Sequence, residues 1–179
     1  MSNFKKDSKT AIRVFEKNRE AIEKLLPPNS SNLFNIECDS KILMSKMDTN
    51  ASLDMFVMID ELLYGVALRI NYNKNHHNSI TIRYHRSSGA KTEFEKTVKA
   101  IENEAITPKF GIQVDVDDDF KMVNAIYFDR IKLFKWCIEN PDKVRRLIEV
   151  NHEDKNSFFK LEYQYMDKFG FTISKIIKK

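Results

Sequence analysis

The chain is poor in cysteine: Cys38 and Cys137 are its only two, and they lie far apart. Neither has a partner at a spacing that would suit zinc, and two thiols make no disulfide framework. Both are expected to be reduced and at least partly buried. No stretch approaches about eighteen consecutive apolar residues, so a helical membrane span is not expected. The opening MSNFKKDSKT lacks the apolar core of a secretory signal, which makes a cytoplasmic location the expectation. Internal repeats and low-complexity segments are absent. No serine or cysteine stands in a sequence relation to a histidine that argues for a nucleophile.

What remains is the composition of a globular chain. Of 179 residues, 42% are hydrophobic and 31% charged, enough apolar surface for a core without disulfide or metal staples. One domain is the simplest division. It has an N-terminal helix in residues 1–28, a core in residues 33–135, and a C-terminal helix and strands in residues 141–179. A net charge of +4 permits contact with phosphate without demanding it.

Patterning gives the elements. Ile12, Phe15, Ile22 and Leu26 recur near helical spacing in residues 8–26, and Pro27 and Pro28 stop that helix. Phe34, Ile36 and Cys38 alternate with polar residues as a half-buried strand would. Residues 51–63 have no clear period. Leu53, Phe56, Val57 and Ile59 could line a helix, while Met55, Val57 and Ile59 alternate like a strand. The expectation taken is a short helix leading into a strand near Asp60. In residues 65–72, Val66, Leu68, Ile70 and Tyr72 face one way and Ala67, Arg69 and Asn71 the other. Residues 79–85 repeat the design, with Ile80, Ile82 and Tyr84 opposite Thr81, Arg83 and His85. A hairpin of these two strands would place Arg69 and Arg83 on one face.

Thr92 and Glu95 have the spacing of a capping box, and Phe94, Val98, Ile101 and Ala105 mark the buried stripe of the helix that follows. Phe110, Ile112, Val114 and Val116 alternate as a strand, and residues 121–128 form another. Asp129 caps a helix over residues 130–139, in which Phe134 and Trp136 belong to the core. Pro141 opens a further helix over residues 142–150. Phe159, Leu161 and Tyr163 form a late strand, and residues 171–177 an edge strand or tail. The fold class expected is α/β or α+β, a central mixed sheet flanked by helices.

The residues that could carry chemistry cluster between residues 52 and 96. Asp54 and Asp60 lie among large apolar side chains, as metal-binding carboxylates or as partners of Arg69 or Arg83. Arg69, Arg83 and Arg86 have the planar donor fork that grips phosphate. Ser88 and Gly89 precede a helix N-terminus, where free amides favour an anion. Glu93 and Lys96 lie together on a side of that helix away from its apolar stripe. His76 and His77 belong to a polar loop, and the Asp117, Asp118 and Asp119 run reads as a surface turn.

The segments LDMFVMID, GVALRI and TIRYHRSSGAKTEFEK, with an apolar-aromatic strand ending at Asp129, resemble a family of short uncharacterised phage and bacterial proteins. The layout also resembles a degenerate PD-(D/E)xK nuclease core. That resemblance implies Mg2+ held by Asp60, with Asp54 as an outer ligand, because hard divalent cations prefer clustered oxygen. The acid and lysine of the motif's second strand would fall at Ala67, Leu68 and Arg69, which supply no carboxylate. Glu93 and Lys96 would then stand in from the helix, beside Asp60, as the catalytic set. The function implied is binding of DNA, RNA or a nucleotide through Arg69, Arg83, Arg86 and Ser88, with Mg2+-dependent phosphodiester hydrolysis as the activity. The rival reading is a non-enzymatic protein of phage or mobile-element origin that blocks a host factor, its arginines and acids structural.

Overall fold

A computed structural model describes residues 4–35, 53–72, 78–152 and 155–177, the side chains of residues 4–12 and 32–35 excepted. The strand alternation expected at Ile36 and Cys38, and the loop histidines His76 and His77, lie outside the described residues. The architecture is α+β: a six-stranded mixed sheet, a second sheet of three strands, and five helices among the described residues.

Helix α1 (Phe4–Glu23) is followed by β1 (Ser30–Asn35), β2 (Met55–Ile59) and β3 (Leu62–Tyr72). Then come β4 (Ser79–His85), α2 (Glu93–Glu102), β5 (Phe110–Val116) and β6 (Met122–Asp129). The chain closes with α3 (Arg130–Glu139), α4 (Pro141–Arg146), β7 (Ile148–Val150), β8 (Ser157–Glu162), α5 (Tyr163–Lys168) and β9 (Thr172–Ile177). The large sheet runs β1-β2-β3-β5-β6-β9, antiparallel throughout except for the parallel pair β3 and β5, and the small one runs β4-β8-β7. No helix among the described residues is long and apolar enough to cross a membrane.

Period-two alternation gives the large sheet two different faces. Val66, Leu68 and Ile70 join Phe110, Ile112, Val114, Ala125 and Tyr127 in one apolar core, against Val14, Phe15 and Ile22 of α1. Buried Asn18 fastens that helix down. Its amide donates to the Val14 and Phe120 carbonyls, both at 2.8 Å, and its side-chain oxygen accepts from the Met122 amide at 2.9 Å.

The opposite face is ordered in rows across β3, β5 and β6. Ala67, Gly111 and Phe128 form one, Arg69, Gln113 and Ile126 the next, and Asn71, Asp115 and Asn124 the third. The first row is a steric solution. A Cβ on Gly111 would stand 2.4 Å from the Phe128 ring, so the ring lies where a side chain at 111 would be. From this face Ile126 and Phe128 join a second core with Ile80, Ile82, Phe159, Leu161, Leu133 and Phe134.

Several expectations hold and several are corrected. The Thr92–Glu95 capping box forms: Thr92 Oγ1 accepts from the Glu95 amide at 3.2 Å, and the Glu95 carboxylate accepts from the Thr92 amide at 2.7 Å. Asp129 caps α3 by accepting from the Lys132 amide at 2.9 Å. The helix expected within residues 51–63 is instead strand β2, with Met55 and Val57 buried. The helix expected over residues 142–150 stops at Arg146, and residues 148–150 pair with β8. Tyr163 opens α5 rather than extending a strand.

The largest correction concerns the hairpin. β3 and β4 belong to different sheets. The edge of β4 meets the polar face of the large sheet through Gln113, whose side-chain amide behaves like a strand neighbour. Its oxygen accepts from the Thr81 amide at 2.8 Å and its nitrogen donates to the Ser79 carbonyl at 2.7 Å.

Candidate functional site

Standing β4 on the polar rows of the large sheet leaves two cavities that share Thr81. The first, of about 210 Å3, is lined by Asp54, Arg69, Glu93, Gln113 and Arg130 among others. Its centre is one carboxylate between two arginines. Glu93 lies 3.3 Å from Arg130 Nη2 and 3.7 Å from Arg69 Nη1.

Arg130 is the structural member. Only 1% of its side chain is accessible. It donates to Glu93, to Thr97 Oγ1 at 2.6 Å and to Thr107 Oγ1 at 3.2 Å, and its guanidinium packs over the Phe134 ring. Burial holds it below the usual arginine value, while Glu93 opposes this through its charge and hydrogen bond and Asp54 through its charge. Sequence reasoning missed Arg130. Its one signal was an arginine at the first position of a helix capped by Asp129, where a cation does not suit the helix dipole and needs a partner elsewhere.

Arg69 is different. It keeps 28% of its side chain accessible and shares Glu93 with Arg130. Its Nε donates to Asn71 Oδ1 at 3.3 Å, and Asn71 donates in turn to Asp115 Oδ1 at 3.1 Å. Burial lowers its pKa, the charge of Glu93 raises it, and the charge of Arg83 lowers it again. Arg69 and Arg83 both pack on Phe158 of β8, their guanidinium carbons 5.8 and 5.6 Å from the ring centroid. The two arginines expected to share a sheet face therefore do meet, but across the junction of two sheets.

Asp54 ends next to this cavity for a backbone reason. Its amide donates to the Val66 carbonyl at 3.1 Å and its carboxylate accepts from the Leu68 amide at 2.7 Å, extending the β2–β3 ladder past Met55. Asp60 is not beside it. Strand β2 separates the two, and Asp60 occupies the tight turn into β3, exposed, accepting from Asn29 Nδ2 at 2.5 Å. At about 3.3 Å per residue along β3, that turn lies roughly 25 Å from Arg69. The expected burial of Asp60 and its pairing with Arg69 are both corrected, and Glu93 holds the place given to Asp60.

Lys96 lies one turn beyond Glu93 on α2 and does not line the cavity. Arg86 and Ser88 are at the far end of β4, in the turn before α2. Ser88 is exposed there, and Arg86 Nε is buried without a hydrogen-bond partner among the described residues.

Of the carboxylates expected to hold Mg2+, Asp54 lines the first cavity with Glu93, while Asp60 lies at the turn away from it. No group of three or more His, Cys, Asp or Glu side chains among the described residues could hold a metal ion. Glu93 is engaged by two guanidiniums and Asp54 by a backbone amide. A hard cation prefers several converging oxygens, and Asp60 does not join Asp54 and Glu93 at the first cavity.

The fold and cleft define an α+β protein with a polar, arginine-bearing junction between two sheets. No family model, no curated protein and no solved structure matches the chain.

Proposed function

We propose that the protein binds the phosphate groups of a nucleotide or nucleic acid at the junction of its two sheets, through Arg69 and Arg83. The observation that carries this is the pair of guanidiniums on Phe158, one of which has its carboxylate partner in common with a third arginine. Two forks held close together by an aromatic ring repel each other. An anion carrying several acceptor oxygens relieves that repulsion and engages both. The ring restrains side chains that would otherwise lose rotamer freedom on binding. No hydrolytic step follows from this geometry, because the carboxylates of the first cavity serve the arginines and the fold.

The test is titration of the protein with single- and double-stranded DNA, RNA and mononucleotides over a salt series, beside Arg83→Gln. If a nucleic acid binds, the logarithm of affinity falls with the logarithm of salt, and Arg83→Gln reduces that slope by about one. An absence of binding by every form at low salt would overturn the proposal and favour the reading in which arginines and acids are structural.

A further inference from the structure

Away from the two cavities at the sheet junction, the surface carries a group of aromatic rings that the fold leaves partly in water. Trp136 of α3, Tyr165 of α5 and Phe169, which caps α5, stand next to one another. The Trp136 and Phe169 ring centroids are 5.3 Å apart, and Tyr165 stacks on Phe169 at 6.5 Å with 22° between the planes. Phe171, in the same segment, is the ring that the core takes: it is 2% exposed and belongs to the second core. Phe169, two residues earlier, is 36% exposed, and Tyr165 42%. Phe171 lies 6.0 Å from Trp136 and 5.7 Å from Phe169, so those two rings rest on a fixed base.

Lysines stand beside these rings. The Lys143 ammonium lies 5.9 Å from the Trp136 ring centroid. Lys132, one helical turn before Trp136 on α3, donates to the Gly170 carbonyl at 3.0 Å, next to Phe169 in the chain. Along α3 and α4 the exposed charged side chains are Lys132, Lys135, Lys143, Arg145 and Arg146, with Glu139 and Asp142. Two nearby carboxylates already have cationic partners: Arg145 lies 3.0 Å from Asp142, and Lys175 pairs with Asp167.

This combination selects the kind of partner. Protein interfaces are depleted in lysine, and two ammonium groups among the rings do not suit one. Rings flanked by ammonium groups suit a flexible polyanion that itself carries flat rings, which is single-stranded nucleic acid. Its bases stack on the aromatics and its phosphates meet the lysines. A duplex keeps its bases in its own stack and offers only the phosphates. We propose that Trp136, Phe169 and Tyr165, with Lys132 and Lys143, form a stacking surface for single-stranded nucleic acid. This surface is separate from the arginine pair at the junction and does not rest on it.

Trp136 is the single tryptophan of the chain, so its emission reports on this surface. The full chain is titrated with oligothymidylate of about twelve nucleotides, with a duplex of equal length and with inorganic polyphosphate. Oligothymidylate is expected to quench the emission to saturation. Polyphosphate, which has the charge without the rings, should leave it unchanged, and the duplex should quench little. Phe169→Ala and Tyr165→Ala should each weaken oligothymidylate binding by about tenfold, the worth of one stacked base. Tyr165→Ala removes the more exposed ring and keeps the test open if Phe169→Ala fails to fold. Lys143→Gln should reduce the salt slope by about one. Quenching that persists in Arg83→Gln supports the stacking surface whether or not the junction binds phosphate. Quenching that Arg83→Gln abolishes would overturn it and refer the signal to the junction. Equal quenching by polyphosphate, or unchanged affinity in folded ring variants, would overturn the proposal. Absence of quenching would overturn it as well, and self-association that Tyr165→Ala abolishes would then give the surface to a second copy of the chain.

Discussion

Gln113 and Thr81 join the two sheets by a hydrogen bond from a backbone amide to a side-chain oxygen, 2.8 Å long. The other end of the same side chain donates to the Ser79 carbonyl at 2.7 Å, and Gln113 is 2% exposed. An exposed strand edge is a row of unmatched polar groups. Here one glutamine satisfies two of those on β4 and thereby fixes where the small sheet stands. Both cavities exist because of that placement.

Replacing Gln113 with leucine keeps the volume and strands one donor and one acceptor of β4. Each buried backbone group left unmade costs about 1–3 kcal/mol. Gln113→Glu retains the acceptor for Thr81 but turns a carboxylate toward the Ser79 carbonyl, which repels it. Urea unfolding is expected to show both variants destabilised. A Gln113→Leu protein of wild-type stability would mean that the sheets are held without this bridge.

Glu93 and Arg130 make an asymmetric pair, and the asymmetry can be measured. Glu93→Gln leaves a fully buried guanidinium with two threonine hydroxyls, and is expected to cost about 3 kcal/mol, the lower end for breaking a buried pair. Arg130→Met leaves Glu93 facing Arg69 and partly in water, so it should cost less. The double variant should be more stable than the sum of the two losses, a coupling that thermal or urea unfolding of the four proteins reports. Additive losses would assign Arg130 its stability through packing on Phe134 alone.

Much of the fold was legible because alternation and capping are local. The strands around Val66, Ile80, Ile112 and Ile126 follow from period two, and the starts of α2 and α3 from Thr92 with Glu95 and from Asp129. The sheet to which β4 belongs was not legible. Two neighbouring strands of the same design argue for a hairpin, and only long-range pairing with β8 decides otherwise. The same long-range step brings Phe158 between Arg69 and Arg83 from more than seventy residues away in the chain. Asp60 misled because apolar neighbours on both sides do not bury a residue that turns the chain. Glu93 was legible as a charge near a helix start, but its two arginine partners come from β3 and α3.

The turn at Asp60 and Glu61 supplies a prediction about that error. Both residues have positive φ, 49° and 64°, and Ile59 faces Leu62 across the two-residue connection. Such a turn favours asparagine and then glycine, because other side chains crowd the backbone in this region. Asp60→Asn with Glu61→Gly should therefore stabilise the protein, by about 1 kcal/mol, and raise its melting temperature. The side-chain amide oxygen introduced by Asp60→Asn can still accept from Asn29. Nucleotide binding should not change. Loss of binding in this variant would return Asp60 to the functional site.

Alkaline pH should weaken the fold through three buried groups. Burial pushes the Cys137 thiol up to about 12 and raises the Tyr127 and Tyr163 phenols. The charge of Asp129 adds to the rise at Tyr127, and that of Asp115 at Tyr163. In the unfolded chain these groups ionise near their ordinary values, about 8.5 for the thiol and about 10 for the phenols. Above those values the unfolded state has released protons that the folded state still holds, so stability falls as pH rises. The contribution of Cys137 is fully present below about pH 8.5 and is lost between there and about pH 12. Urea midpoints measured from about pH 7.5 to about pH 11 are expected to decline above about pH 8.5. Cys137→Ala removes one proton from the difference, so its midpoint should decline less steeply than that of the wild type, whatever the cavity costs at neutral pH. The same burial should keep the native thiol unreactive toward thiol reagents at about pH 8, with reaction appearing only on unfolding. Rapid labelling of the folded protein, or parallel slopes for wild type and Cys137→Ala, would place the thiol in contact with water rather than in the core around Phe134 and Leu133.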